Sequence, residues 1–488
     1  MAFLAASVLA SRREAPMFAR AALLGAATVL LDLAVLSQSR AWLVFFPLGL
    51  LATFVLVPNR MRLLLTLLPV GVVTLLSLPT LLEVYRAFGA PGAVDAIADA
   101  RDVVLLGGAV TAVLGGVGAW LDRRTELPAS VGRRADRWLA VAGAALAVVG
   151  CVAALVAIGD PVTRAADAWD EFESGYPSEF SGSHFTGGGL GDYRADQWRV
   201  ALNAFAHAPI LGTGVGGFGA VYIEERRTDN EAIYPHSVEL SVLSSTGLLG
   251  ALAFAAFLAA VVGGAAALRR SDAPVRAVAG ASLALACYWL LHGSVDWFWE
   301  LPAVTAPSFA LLGLAAAVEA QQPEAASRRF TPAAACAAVA ILVGAIALAV
   351  PWTATAETER AAAVWRTDPD LALERLDRAG RIDRLSSQPA LLAGAIANRS
   401  GRPERARAEL EEALDREPRN WYAHLELAIA QARLGRRADA LASLDEAAAL
   451  NPREDAIPEV REDVTRGQKI DLAELDAVFR QRVESRTR

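Results

Sequence analysis

Asp192–Gly250 reads DYRADQWRVALNAFAHAPILGTGVGGFGAVYIEERRTDNEAIYPHSVELSVLSSTGLLG. This polar segment holds Arg194, Trp198, a Gly-rich turn and His236, and long apolar stretches lie on either side of it. An apolar run of about 20 residues is long enough to cross a bilayer as a helix, whereas Arg, Asp, Glu and His are expensive inside hydrocarbon. The segment is therefore expected at the membrane surface, in water, as the site of the chain's chemistry.

Working outward, the composition agrees. Of 488 residues 54% are hydrophobic, and the mean hydropathy is +0.35. The apolar residues come in blocks, which excludes an ordinary soluble globule and points to a polytopic membrane protein. A net charge of -7 identifies no partner, because acids and bases are segregated along the chain, and no basic patch suggests nucleic acid. Cys151, Cys287 and Cys336 all fall in apolar runs as small hydrophobes, so neither a disulfide framework nor a metal site is indicated.

The spans are expected at about Ala21–Leu36, Ala41–Val57, Leu63–Leu82, Val103–Leu121, Leu139–Ile158, Val238–Leu268, Val278–Leu291, Val304–Ala320 and Ala333–Val350, roughly nine in all. Val238–Leu268 is longer than a bilayer needs, so an interfacial turn is expected at its start. No cleaved signal is read at the N-terminus, since Arg12 and Arg13 follow the apolar run instead of preceding it. The turns holding Arg12, Arg13 and Arg20, Arg60 and Arg62, Arg123 to Arg137, Arg269 to Arg276, and Arg328 and Arg329 fall on one side, which is then cytoplasmic. Arg40, a large loop at about 159–237, the Gly293–Pro302 turn and everything after Pro351 fall on the other.

From Thr353 the chain is helical and polar, with a period of 34 residues. Ala372, Ala406 and Ala440 coincide, as do Leu376, Leu410 and Leu444, then Ala379, Ala413 and Ala447; Gly401 pairs with Gly435 and Pro418 with Pro452. Small residues where paired helices touch, with Pro closing each pair, resemble tetratricopeptide repeats, whose concave face binds protein partners. The expected fold class is all-α: a membrane domain over 1–352 and a helical repeat domain over 353–488.

Three pieces in order carry a second resemblance. They are Ser39-Arg40-Ala41-Trp42 opening a span, Arg194 with Trp198 before Pro209-Ile210-Leu211-Gly212-Thr213-Gly214, and His236 followed by Leu240 and Thr246-Gly247-Leu248-Leu249-Gly250; His292–Pro302 adds a weaker echo. Over about Ala21–Leu314 the chain resembles the O-antigen ligase and polymerase superfamily of bacterial envelope glycosyltransferases. Ser237 and Ser245 depart from it, standing where Asn and Glu are usual in that family. The resemblance implies transfer of a glycan from undecaprenyl pyrophosphate to a sugar, lipid or protein acceptor at the outer face of the bacterial inner membrane, as in lipopolysaccharide assembly, without metal or cofactor. It also implies that Arg40 and Arg194 bind the pyrophosphate, that His236 acts as base and that Asp296 helps orient the acceptor.

Residue chemistry is compatible with those roles. Guanidinium groups grip phosphate in a bidentate way and stabilise the departing charge, and imidazole titrates near neutrality. Blander uses also fit: Arg40 anchoring a helix end by snorkelling, Arg194 pairing with Asp192 or Asp196, Gly212–Gly217 as a plain turn, and Trp297 and Trp299 in an interfacial belt. The alternative for the whole chain is a non-catalytic membrane scaffold, a truncated relative that recruits partners through its repeats.

Overall fold

The computed structural model describes residues 1–88, 90–125, 193–268, 273–301 and 332–477, with a few isolated positions between them. The expected span Leu139–Ile158, the loop over 159–192 and most of the expected span Val304–Ala320 lie outside the described residues. Every regular element among the described residues is helical. In order they are α1 (Ala2–Ala10), α2 (Met17–Leu36), α3 (Arg40–Leu56), α4 (Arg60–Arg86), α5 (Ala93–Arg124), α6 (Arg194–His207), α7 (Gly217–Glu225), α8 (Val238–Ala267), α9 (Ala273–Gly293), a 3-10 turn (Phe298–Glu300), α10 (Pro332–Val364), α11 (Pro369–Ile382), α12 (Gln388–Arg399), α13 (Pro403–Arg416), α14 (Trp421–Arg433), α15 (Arg437–Leu450) and α16 (Ala456–Arg466).

Five of these are long and apolar enough to cross a membrane: α2, α4, α5, α8 and, over Val275–Gly293, α9; Ala41–Leu56 in α3 is a shorter apolar helix. The last expected span falls within α10. The outward faces agree with lipid contact: Leu68, Leu75 and Leu76 of α4 and Leu105, Leu106 and Val113 of α5 are exposed. An apolar belt of that extent suits hydrocarbon and not water. The chain is a multi-pass helical membrane protein.

The described residues divide into two compact units, Met1–Phe218 with Arg226–Gln322, and Gly219–Glu225 with Pro323–Arg488. In the first, α2 and α5 run antiparallel in close contact. A Cβ on Gly25 would stand 2.7 Å from the Gly108 carbonyl oxygen, and one on Gly115 would meet Leu24 at 3.0 Å. With no hydrophobic drive between helices in lipid, such small residues let backbones approach and gain dispersion contact. Polar groups inside are paired across helices: Thr28 donates to Thr111 at 2.8 Å, and Thr74 donates to fully buried Asp32 at 2.6 Å. The N-terminal apolar run, which the sequence sets apart from the spans, forms α1. Its Phe3, Leu4 and Ala6 are buried against Leu24, Ala27, Leu31 and Val70, and the Arg20 guanidinium donates to the Ala10 carbonyl at 2.9 Å.

Helices α3 and α9 also pack antiparallel. Phe45 faces His292, with ring centroids 6.2 Å apart; a Cβ on Gly49 would stand 2.7 Å from the Tyr288 ring, and one on Gly280 would stand 2.3 Å from the Leu56 oxygen. The start of α3 therefore lies at the same end of the bundle as the end of α9. At the opposite end of α3, where α4 begins, Asp122 pairs with Arg20 at 2.9 Å and with Arg62 at 3.4 Å.

In the second unit, α11 to α16 form helix pairs in the expected 34-residue register. Ala372, Ala406 and Ala440 are fully buried, as are Leu410, Leu444 and Ala447. Asp368 and Asn420 cap α11 and α14 by accepting the backbone N–H three residues on, at 2.9 and 3.0 Å.

Candidate functional site

Two glycines build the floor of the site. At Gly247 (φ 62, ψ -161) the helix α8 breaks, which frees the carbonyls of the preceding turn. The Gly-rich turn after α6 fills that break: Thr213 N–H donates to Ser244 O at 2.9 Å, Gly214 N–H to Ser245 O at 3.0 Å, and Leu248 N–H to Pro209 O at 2.8 Å. Gly212 has φ +70, and a Cβ there would stand 2.4 Å from the Ser245 carbonyl carbon; a Cβ on Gly247 would stand 2.5 Å from the Ile210 carbonyl. Only glycine meets both demands, left-handed backbone and contact with another backbone. The amides of Gly212, Thr213 and Gly214 are all bonded to protein carbonyls, so these three act as a structural turn and do not point at a phosphate. Where a turn was expected at the start of Val238–Leu268, the chain is already helical from Val238 and breaks at Gly247.

Helix α6 begins at Arg194, directly after Tyr193 in left-handed conformation (φ 59). Arg194 Nε donates to the Val295 carbonyl at 3.1 Å, which ties α6 to the turn that follows α9. Buried Asp196 accepts from Arg199 at 2.7 and 3.1 Å and from the Arg227 amide at 2.9 Å. Of the ion-pair partners the sequence offers Arg194, Asp196 is thus engaged with Arg199, and Asp192 lies outside the described residues. His207 is exposed and donates from Nδ1 to the Asn203 carbonyl.

His236 is half-buried in left-handed backbone (φ 50). Its Nδ1 lies 3.2 Å from the Tyr234 carbonyl. A carbonyl only accepts, so in the neutral ring the proton is assigned to Nδ1 and the lone pair to Nε2. The next residue, Ser237, caps α8 by accepting from the Leu240 amide at 3.4 Å and donates to Glu239 at 3.0 Å. Glu239 in turn accepts from Ser294 at 2.6 Å, and the Tyr234 ring stacks on Trp297 with centroids 6.1 Å apart. Both the Arg194 helix and the His236 segment are therefore fastened to the turn 294–301.

The same turn carries Asp296. Its carboxylate accepts from the Trp297 amide at 2.7 Å and from His292 Nε2 at 3.3 Å. Tyr288 OH stands 2.9 Å from His292 Nδ1, so the phenol donates to a neutral ring and accepts from a charged one. Burial by itself raises the Asp296 pKa, but the His292 bond and charge, the Trp297 amide and Arg194 outweigh it and hold the carboxyl below the usual range. Nearby, burial lifts Glu300 above the ordinary carboxylate range, and burial with the charge of Glu300 raises the Tyr234 phenol. Tyr288, His292 and Asp296 recur at i, i+4 and i+8, a helical spacing that could have flagged His292 in the sequence.

Arg194, His236 and Asp296 thus gather at one end of the bundle. Arg40 opens α3, the helix whose Phe45 stacks on His292, behind a Ser39 cap that accepts from the Trp42 amide at 3.2 Å; the Arg40 side chain lies outside the described residues. Four residues other than glycine have positive φ among those described: Gln38, Asn59, Tyr193 and His236. Three of the four stand at or within two residues of Arg40, Arg194 and His236, and strained backbone of this kind clusters at working sites.

Residues 103–255 match the family model of the O-antigen ligase, and residues 397–457 match that of the tetratricopeptide repeat. The chain therefore carries a region similar to the O-antigen ligase family and, after it, one similar to tetratricopeptide repeats. No curated protein matches it by sequence. Arg194 and His236 fall within the ligase region, whereas Arg40 and Asp296 lie before and after it. The ligase region supports a glycosyltransferase of the O-antigen ligase or polymerase type, and the repeats support protein interactions.

Proposed function

We propose that the protein transfers a glycan from undecaprenyl pyrophosphate to a sugar, lipid or protein acceptor at the outer face of the bacterial inner membrane. In this reading Arg194, with Arg40, grips the pyrophosphate. The acceptor hydroxyl oxygen attacks the anomeric carbon from the face opposite the leaving group. The bond from that carbon to the phosphate oxygen breaks, and its electron pair departs on the pyrophosphate, where guanidinium charge stabilises it. The hydroxyl proton passes to His236 Nε2, and Asp296 orients the acceptor. Attack from the opposite face inverts the anomeric centre.

The observation that carries this reading is the turn 294–301, which holds α6 through the Val295 carbonyl and the His236 segment through Ser294 and Trp297. The tautomer of His236 adds support, since the lone pair on Nε2 is what a base requires. The distribution of arginine supports the sidedness: Arg20 and Arg62 lie at the far end of the bundle, so the site end, the loop at about 159–237 and the repeats beyond residue 352 are read as extracytoplasmic. The repeat domain, over 353–488, would hold the acceptor protein or an assembly partner. In membranes supplied with a lipid-linked oligosaccharide and acceptor, Arg194→Ala and His236→Ala each abolish transfer while inserting normally; wild-type transfer by either removes that residue from the mechanism.

A further inference from the structure

The turn 294–301 carries more than the bonds that fasten α6 and the His236 segment. Its Trp297 ring lies against Tyr234, with centroids 6.1 Å apart and planes 7° from parallel, and Trp297 stays 40% exposed. Trp299 meets the same tyrosine edge-on, at 6.5 Å and 65°. The turn is held at this point. Thr305 donates to the Trp299 carbonyl at 2.9 Å and accepts from Trp289 Nε1 at 3.4 Å, and a Cβ on Gly293 would stand 3.7 Å from the Trp299 ring.

The plain use of such residues is an interfacial belt, in which an indole sets its ring among the headgroups and its N–H in water. Three observations depart from that use. A belt residue needs no aromatic partner, whereas Trp297 and Tyr234 lie nearly parallel from positions 63 residues apart (297 minus 234). Trp299 Nε1 is buried and has no acceptor among the described residues, which costs free energy until an oxygen is brought to it. Half-buried Glu300 adds a carboxyl close enough to Tyr234 for its charge to raise the phenol. A flat aromatic surface with a donor and an acceptor at its edge is what a pyranose requires. The C–H groups of one sugar face lie on the rings, and the hydroxyls around the sugar's edge meet indole N–H and carboxylate.

The place of this surface decides which sugar it holds. Tyr234 gives its carbonyl to His236 Nδ1 at 3.2 Å, and the Trp297 amide donates to Asp296 at 2.7 Å. The aromatic pair is thus bonded through its backbone to the base and to the carboxylate that orients the acceptor, whereas Arg194 reaches the turn at Val295. We infer that Trp297, Tyr234, Trp299 and Glu300 form a binding subsite for a pyranose ring, and that the accepting hydroxyl therefore belongs to a sugar and not to a protein side chain or a phospholipid headgroup. The acceptor ring lies on Trp297, Glu300 accepts from hydroxyls at its edge, and a further hydroxyl is presented to His236. That the bound sugar is the acceptor rests on the transferase reading; the pyranose subsite itself does not.

The test follows saturation transfer by NMR from the full chain in detergent micelles to the methyl glycosides of glucose, galactose and N-acetylglucosamine. Wild type is expected to transfer saturation to the ring C–H protons of at least one of them. Binding is expected to weaken about tenfold in Trp297→Ala and to stay near wild type in Trp297→Phe, which keeps a stacking ring. No transfer from wild type to any of the three, or equal binding by Trp297→Ala, overturns the inference. Should Trp297→Ala fail to fold, Glu300→Gln takes its place, and glycoside binding that it leaves unchanged overturns the inference equally. Glycan transfer from a lipid-linked oligosaccharide is measured in parallel. Glycosides that bind wild type without ever accepting a glycan contradict the transferase reading and leave the subsite standing. Transfer to a serine-containing peptide or to phosphatidylglycerol that Trp297→Ala leaves unchanged overturns the subsite and leaves the transferase reading standing.

Discussion

At Asp296 several small effects converge on one carboxylate: burial, a His292 bond, the Trp297 amide and the Arg194 charge. Its pKa is held below the unfolded value, so the stability it confers is present above the ordinary aspartate range and is lost as pH falls through the folded value. A double-mutant cycle of Asp296→Asn and His292→Leu, read by thermal unfolding in detergent, is expected to show coupling of about 1 kcal/mol at neutral pH. That coupling shrinks as the medium is acidified below about pH 4, and a pH-independent coupling would show that charge is not what joins the two. Arg194 and His236 could be named as candidates from the sequence because they stand in the pieces that carry the family resemblance, and Asp296 because it sits in the polar turn after an apolar span. His292 entered only as the start of the weaker echo His292–Pro302: inside a stretch as apolar as ASLALACYWLLHG a single imidazole reads as helix body, and its spacing from Tyr288 and Asp296 was the one signal that could have singled it out.

The element that organises the site is the break in α8. Apolar length identified Val238–Leu268 as a span, and the extra length hinted at a turn, but a Thr-Gly-Leu-Leu-Gly step in a membrane helix is ordinarily tolerated without a break. What forces the kink is remote in sequence, the backbone of Pro209–Gly214 bonding to Ser244 and Ser245. Gly212→Ala would bring a Cβ within 2.4 Å of that backbone while keeping φ at +70. It is expected to destabilise the membrane unit by at least about 2 kcal/mol, by detaching α6 from α8. Thermal unfolding measures this, together with faster amide exchange at Thr213 and Gly214. An unchanged midpoint would mean the interlock is not rigid. The glycine contacts between α2 and α5 were equally hidden, since antiparallel pairing of two particular spans leaves no local mark.

Across the whole molecule, blocks of apolar residues and the 34-residue period were enough to assign an all-α membrane protein with helical repeats. Both signals are periodic and need no tertiary knowledge, which is why they read well. The last helical segment, from Leu472, starts one residue late in the period, and its bridge from Asp476 to Arg399 is a contact that the sequence does not announce. Arg40, Arg194, His236 and Asp296 come from parts of the chain separated by up to 256 residues (296 minus 40). The proposal that they serve one reaction rests on the turn 294–301 and on the end of the bundle they share. The most direct measurement follows release of undecaprenyl pyrophosphate from a lipid-linked oligosaccharide by membranes holding wild type or His236→Ala. Release by wild type that is lost in the variant at equal insertion is the predicted result; wild-type protein that inserts correctly and releases nothing from a range of donors would contradict the account.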